Sequence, residues 1–154
     1  MKKQEEITQE SRDNKFASFR VAGKLYGFPV ISVQEIIKPM KVTPIPLSPN
    51  YLKGLFNLRG QITSAICLRA LLQLEDGQSE ESMQVICLHE KTLFSFVVDE
   101  VGDVVWYDAS TFVSPPKNAS KFIQRFSKGM ATLDKELLCV LNIQEIVNYL
   151  DQSA

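Results

Sequence analysis

Residues Pro49 to Leu72 read P-N-Y-L-K-G-L-F-N-L-R-G-Q-I-T-S-A-I-C-L-R-A-L-L. Tyr51, Leu52, Leu55, Phe56 and Leu58 make one apolar run, and Ile62, Ala65, Ile66 and Leu68 make a second. Between them stands Arg59-Gly60, and two strand-like segments meeting at such a step predict a tight reversal, because glycine tolerates a positive φ. Arg59 is thereby placed at the mouth of a stiff hairpin. A guanidinium there offers a planar, permanently charged fork to a partner's carboxylate or backbone, or alternatively only solvates the turn.

The chain has 154 residues, enough for one domain with a substantial core. Charged residues make up 23% and the apolar set 45%, with a net charge of −1 and no long basic run, which points away from nucleic acid. No apolar stretch reaches membrane-spanning length and the first residues are polar, so a cytoplasmic protein without direct membrane insertion is expected. Cys67, Cys87 and Cys139 each lie in an apolar run with no Cys-x-x-Cys spacing. That argues against a disulfide framework and against zinc, and the expected state is a buried thiol.

Residues 1–15 are polar and are expected to form a mobile tail ahead of a single domain at 16–150, with 151–154 a short C-terminal tail. Phe16 to Val21 and Leu25 to Ile31 read as strands around a Gly23-Lys24 turn. Ser32 and Glu35 have capping-box spacing, which predicts a short helix from about Val33 to Lys38, stopped by Pro39. Pro39, Pro44, Pro46 and Pro49 stiffen the next connection. Residues 69–74 suggest a helical turn, and Glu75 to Ser82 an exposed loop. Strands are expected at 83–88, 93–98, 101–107, 112–113, 122–126, 129–133 and 137–141, with a bulge or bend at Gly102. Asn142 then caps a C-terminal helix to about Leu150. Val33-Gln34-Glu35-Ile36-Ile37 and Ile143-Gln144-Glu145-Ile146-Val147 each follow a strand and begin at a polar cap, a faint internal echo that two related β units, each with a short helix, or chance explain equally well.

Many short strands with few helices indicate a barrel or a sandwich, and the pattern alone does not choose. Chemistry has little support. His89 is the single histidine and is expected as a solvated loop imidazole; no phosphate-loop or dinucleotide glycine motif is present. Asp99, Glu100 and Asp103 are acidic, but alternation puts Asp99 and Asp103 on one solvated strand face. Surface recognition fits better, with apolar anchors beside fixed charges.

G-L-F-N-L-R-G-Q-I followed by C-L-R resembles the Asn-Leu-Arg-Gly segment of CheW-type chemotaxis coupling proteins. F-A-S-F-R-V-A-G-K-L-Y-G-F-P-V, V-Q-E-I-I, L-S-P-N-Y-L-K-G, F-V-V-D-E-V-G-D-V and V-S-P-P agree in order and spacing, from about Phe16 to Leu150. The resemblance implies a mainly β fold of two SH3-like five-stranded β-barrel subdomains packed side by side, with short helices and a C-terminal helix. It implies a non-catalytic adaptor, without cofactor or metal, that couples the cytoplasmic tip of chemoreceptors to the regulatory domain of a CheA-type histidine kinase. By the same resemblance Val33, Gly54, Val101 and Val104 are receptor-binding, in a groove, and Glu35, Ile36, Lys53 and Arg59 are kinase-binding. Ser64 and Cys67 stand where the family commonly has Pro and Asp, which leaves a hydrogen-bond network near Arg69 without its usual partner. The alternatives are a paralogous scaffold of a non-flagellar chemosensory or other output pathway, and a small enzyme using His89 or a cysteine.

Overall fold

A computed structural model describes residues 14–75 and 82–152. The expected N-terminal tail therefore lies mostly outside the described residues, as does nearly all of the acidic loop after Glu75. The strands are β1 (Lys15–Val21), β2 (Lys24–Pro29), β3 (Val33–Ile37), β4 (Leu52–Leu58), β5 (Gln61–Cys67), β6 (Met83–His89), β7 (Thr92–Val98), β8 (Glu100–Trp106), β9 (Ser127–Thr132) and β10 (Leu137–Leu141). The helices are α1 (Leu68–Leu71), α2 (Lys121–Phe126) and α3 (Ile143–Gln152). Lys15, expected in the tail, opens β1, and α3 runs beyond Leu150 into the expected C-terminal tail.

The strands form two five-stranded sheets, A in the order β8-β1-β2-β10-β9 and B in the order β3-β6-β7-β5-β4. The two have one wiring. Each is an edge strand, a hairpin, a parallel step (β2 to β10, β7 to β5) and a second hairpin. Taken in chain order, β3 to β7 correspond to β8, β9, β10, β1 and β2, so sheet A is a circular permutation of sheet B. The match reaches single residues. Lys53 and Lys128 each fall at a register shift, and Gly54 and Gly129 follow with φ of 150° and 146°. A connecting segment then bridges the next residue on the outer edge, Thr43 to Leu55 and Val113 to Met130. In both cases a glycine is required, since a Cβ would overlap the Thr43 carbonyl oxygen at Gly54 and the Phe112 side chain at Gly129.

The sheets curl into open barrels of SH3-like form. In B, Arg59 on the β4–β5 turn reaches Glu35 on β3, the opposite edge. In A, the Thr132 N–H of β9 donates to the Tyr107 hydroxyl just beyond β8, at 3.2 Å. The largest core cluster draws on both sheets: Phe19, Val21, Tyr26 and Phe28 from A meet Ile66, Val85, Cys87 and Phe96 from B, with α3 and α2 closing over it. Phe28 and Phe96 pack with tilted rings, centroids 5.0 Å apart, across the junction, so the two halves share one apolar interior.

Three local expectations are corrected. Val33–Ile37 is a strand, not a helix. Val33, Ile36 and Ile37 are β-branched, and the segment gains a ladder against β6, with Ile36 opposite Val85, that a five-residue helix has no means to match. Phe122–Phe126 is helical, not a strand: Phe122 and Phe126 bury one face at i, i+4, and the Ser120 hydroxyl accepts from the Ile123 N–H at 3.2 Å. The echo between 33–37 and 143–147 therefore pairs a strand with a helix and is not the internal repeat. The repeat is marked instead by Lys-Gly-Leu at Lys53 and Lys-Gly-Met at Lys128. The cap at Asn142 does form, its side-chain oxygen accepting from the Glu145 N–H at 3.2 Å.

Candidate functional site

The Arg59-Gly60 corner is a two-residue turn with φ of 51° and 89°, both positive as a type I′ hairpin needs. The Gly60 N–H donates to the Asn57 side-chain oxygen at 2.7 Å, which locks the turn. Arg59 is then aimed across the mouth of sheet B, where its two terminal nitrogens donate to the two Glu35 carboxylate oxygens at 2.6 and 2.8 Å. The bidentate bond to Arg59 holds the Glu35 carboxyl below the usual carboxylate range. Glu35 thus spends its carboxylate on Arg59 and not on a helix cap. About two thirds of the Arg59 side chain is still exposed (67%), against 25% for Glu35. Ile36, the next residue along β3, is an exposed apolar side chain.

Lys53 is exposed at the bulge on β4, roughly 20 Å along the strand from the Arg59 turn. The structure thus brings Glu35 and Arg59 into contact, turns Ile36 to the other face of β3, and holds Lys53 at the far end of β4 from the Arg59 turn. Of the other four expected residues, Val33 and Val101 are half-buried against the shared core cluster, from opposite sheets. Val104 is exposed on the edge strand β8. Gly54 is buried beneath Thr43, so its part is to let the connecting segment approach β4.

Asp99 is not on a solvated strand face with Asp103. It precedes β8, and its carboxylate accepts from the Ala22 N–H at 2.8 Å and from Arg69, which also donates to the Glu75 carbonyl. This ties α1, on sheet B, to the β1–β2 turn of sheet A. Arg69 therefore has a carboxylate partner although Cys67 stands where the family commonly has Asp. Asp103 turns the other way because Gly102 and Asp103 together face the single residue Ser18, a two-to-one bulge that the sequence places at Gly102.

His89 ends β6 opposite Thr92, ahead of the Glu90-Lys91 turn. It is half-buried, with Nε2 shielded and without a hydrogen-bond partner, which differs from a solvated loop imidazole. Cys87 shares its strand face, two residues away, yet burial pushes that thiol up, opposite to what a nucleophile needs. Burial also raises Cys139, and Cys67 is partly exposed. Among the described residues no group of three or more His, Cys, Asp or Glu is placed to hold a metal, and no helix is long and apolar enough to cross a membrane.

Two matched half-barrels presenting fixed charges and apolar side chains on edges and turns have the build of a protein-docking module. Residues 15–151 match the family model described as CheW-like domain, and the chain belongs to that family. It is similar to "Chemotaxis protein CheW" of Helicobacter pylori, 26% identical over 133 residues that cover 86% of this chain and 80% of the relative. It is similar also to the protein so named in Bacillus subtilis, 28% identical over 135 residues covering 87% and 86%. The crystal structure of scaffolding protein TtCheW from Thermoanaerobacter tengcongensis matches with a TM-score of 0.76 at 27% identity, covering 84% of this chain and 89% of that one. The chain is a chemotaxis adaptor.

Proposed function

We propose that this adaptor couples the cytoplasmic tip of membrane chemoreceptors to the regulatory domain of a CheA-type histidine kinase, in the cytoplasm at receptor arrays. It acts by contact and not by chemistry on its own side chains. Glu35, Ile36, Lys53 and Arg59 meet the kinase, and Val33, Gly54, Val101 and Val104 form or shape the receptor face. The observation that carries this reading is the bidentate Arg59–Glu35 bridge, which fixes an exposed guanidinium at a rigid turn, while Ile36 is exposed on the other face of the β3 edge. A patch of that kind gains affinity from burial and register from charge. Because the two sheets share a core, a partner on sheet B and a partner on the sheet A edge are held at one relative geometry, and receptor states that differ in their contacts bias the kinase.

The test is calorimetric titration of the full chain with purified kinase regulatory domain, with a chemoreceptor cytoplasmic fragment, and with both together. Binding to each, and to both at once, is the expected result. A chain that binds neither overturns the coupling role.

A further inference from the structure

The bulge at Gly102–Asp103 changes which side chains of β8 share a face. Strict alternation would put Val101 and Val104 on opposite sides. Instead Val101 stands opposite Phe19, Val104 opposite Ala17 and Trp106 opposite Lys15, so all three join the odd-numbered face of β1. Phe19 and Val101 on this face belong to the shared core. Glu100 and Val105 pair with Arg20 and Phe16, and with Asp103 they line a cavity of about 220 Å³ beside Ser18, which Val101 also borders. The acids of β8 are thus on the far face. What remains is an apolar stripe that leaves the core at Val101 and climbs into solvent at Val104 (61% exposed) and Trp106 (62%), ending beside exposed Lys15.

We propose that Trp106 is the outer anchor of the receptor-binding face, taking the apolar side of a helix whose end carries a carboxylate for Lys15. This rests on the receptor role argued above and extends that face to two residues, Trp106 and Lys15, not assigned to it. A Trp left largely in water at a sheet edge, in line with two apolar neighbours that run into the core, is the side chain type that carries interfaces. The stripe from Val101 to Trp106 spans roughly 15 Å, about three turns of helix, which suits one partner residue per turn. The one charge on the stripe face of β1 and β8 is Lys15, so the complementary helix is apolar with an acid at one end. Sheet B's corresponding edge strand, β3, carries the same bulge, Gln34 and Glu35 facing Ile86, with Val33 and Ile36 opposite Cys87 and Val85; the position that matches Trp106 holds Lys38, so the two edges differ at the anchor.

Trp106 is the single tryptophan of the chain, so its emission reports this site alone. The full chain is titrated with a chemoreceptor cytoplasmic fragment, with Trp106→Phe providing the background from the fragment. The expected result is a shift of emission to shorter wavelength on binding, and a loss of affinity of about tenfold or more for Trp106→Ala by calorimetry. Lys15→Glu weakens binding as well, more at low salt than at high, while affinity for the kinase regulatory domain is unchanged in both variants. If the fragment binds the unaltered chain but the emission does not move and Trp106→Ala binds equally well, Trp106 lies outside the footprint and this proposal falls while the receptor role stands. If the emission moves with the kinase domain and not with the receptor fragment, the assignment to the receptor is wrong. If the fragment does not bind the unaltered chain, the receptor role fails and the proposal with it.

Discussion

Arg59 and Glu35 are 24 residues apart in sequence and belong to opposite edges of sheet B, yet they are joined by two parallel hydrogen bonds of 2.6 and 2.8 Å. The bridge is both a staple across the open side of a curled sheet and the charged part of the proposed kinase surface. Its mostly exposed guanidinium makes it a weak stabiliser. Arg59→Ala is therefore expected to leave the melting temperature nearly unchanged while weakening kinase-domain binding and kinase activation. The exchanged pair, Glu35→Arg with Arg59→Glu, should restore the staple without restoring the surface. Normal coupling in Arg59→Ala would make Arg59 an ordinary turn residue.

The same pair sets a pH dependence. Arg59 lowers the Glu35 carboxyl in the folded protein. The bridge's contribution is thus fully present above the ordinary carboxylate value of about 4.3 and is lost as pH falls through the lower folded value. Titration of Glu35 followed by carboxyl-resolved NMR should show a midpoint below that of a free glutamate, returning toward about 4.3 in Arg59→Ala. An unchanged midpoint in that variant would assign the shift to something other than the bridge.

Gly54 tests the backbone argument. Alanine there must hold φ of 150° and overlaps the Thr43 carbonyl oxygen. The expected cost is about 2 kcal/mol or more, or a drop of about 5 °C or more in the melting temperature. Receptor binding should fall only in proportion to unfolding or to displacement of the 38–50 segment. A variant as stable as the parent that loses receptor binding outright would make Gly54 a contact residue and not a spacer.

Asp99→Asn keeps an acceptor for the Ala22 N–H and removes the charge that faces Arg69. Both partners are largely shielded, with side-chain exposures of 17% and 22%. A loss of about 1–3 kcal/mol is expected, seen as a lower urea midpoint with an unchanged slope. A midpoint that does not move would show that the tie between α1 and the β1–β2 turn contributes nothing to stability.

The hairpins were readable because their signals are local. Arg59-Gly60 between two apolar runs, and the alternation through β6 and β7, need no tertiary information. The errors came where a local cue competed with a distant one. Ser32 and Glu35 carry capping-box spacing, but β6 supplies a ladder and Arg59 a carboxylate partner, and both lie far away in sequence. Phe122, Ile123 and Phe126 had helical spacing that a run of short strands on either side obscured. In the candidate site, the resemblance named Glu35 and Arg59 without their contact, because that contact depends on the curl of the whole sheet. Trp106 escaped notice for a related reason. Only the bulge at Gly102 brings it and Val104 onto the face of Val101, because a bulge moves every later side chain to the other face.

The permuted wiring of the two sheets has a consequence for biosynthesis. Sheet B is one continuous segment, Val33 to Val98, whereas sheet A needs its first hairpin to wait for Leu137–Leu141 before β2 gains its parallel neighbour. On a ribosome the half that carries Arg59 can therefore assemble while sheet A is still incomplete, and β9 and β10 are the last strands to join.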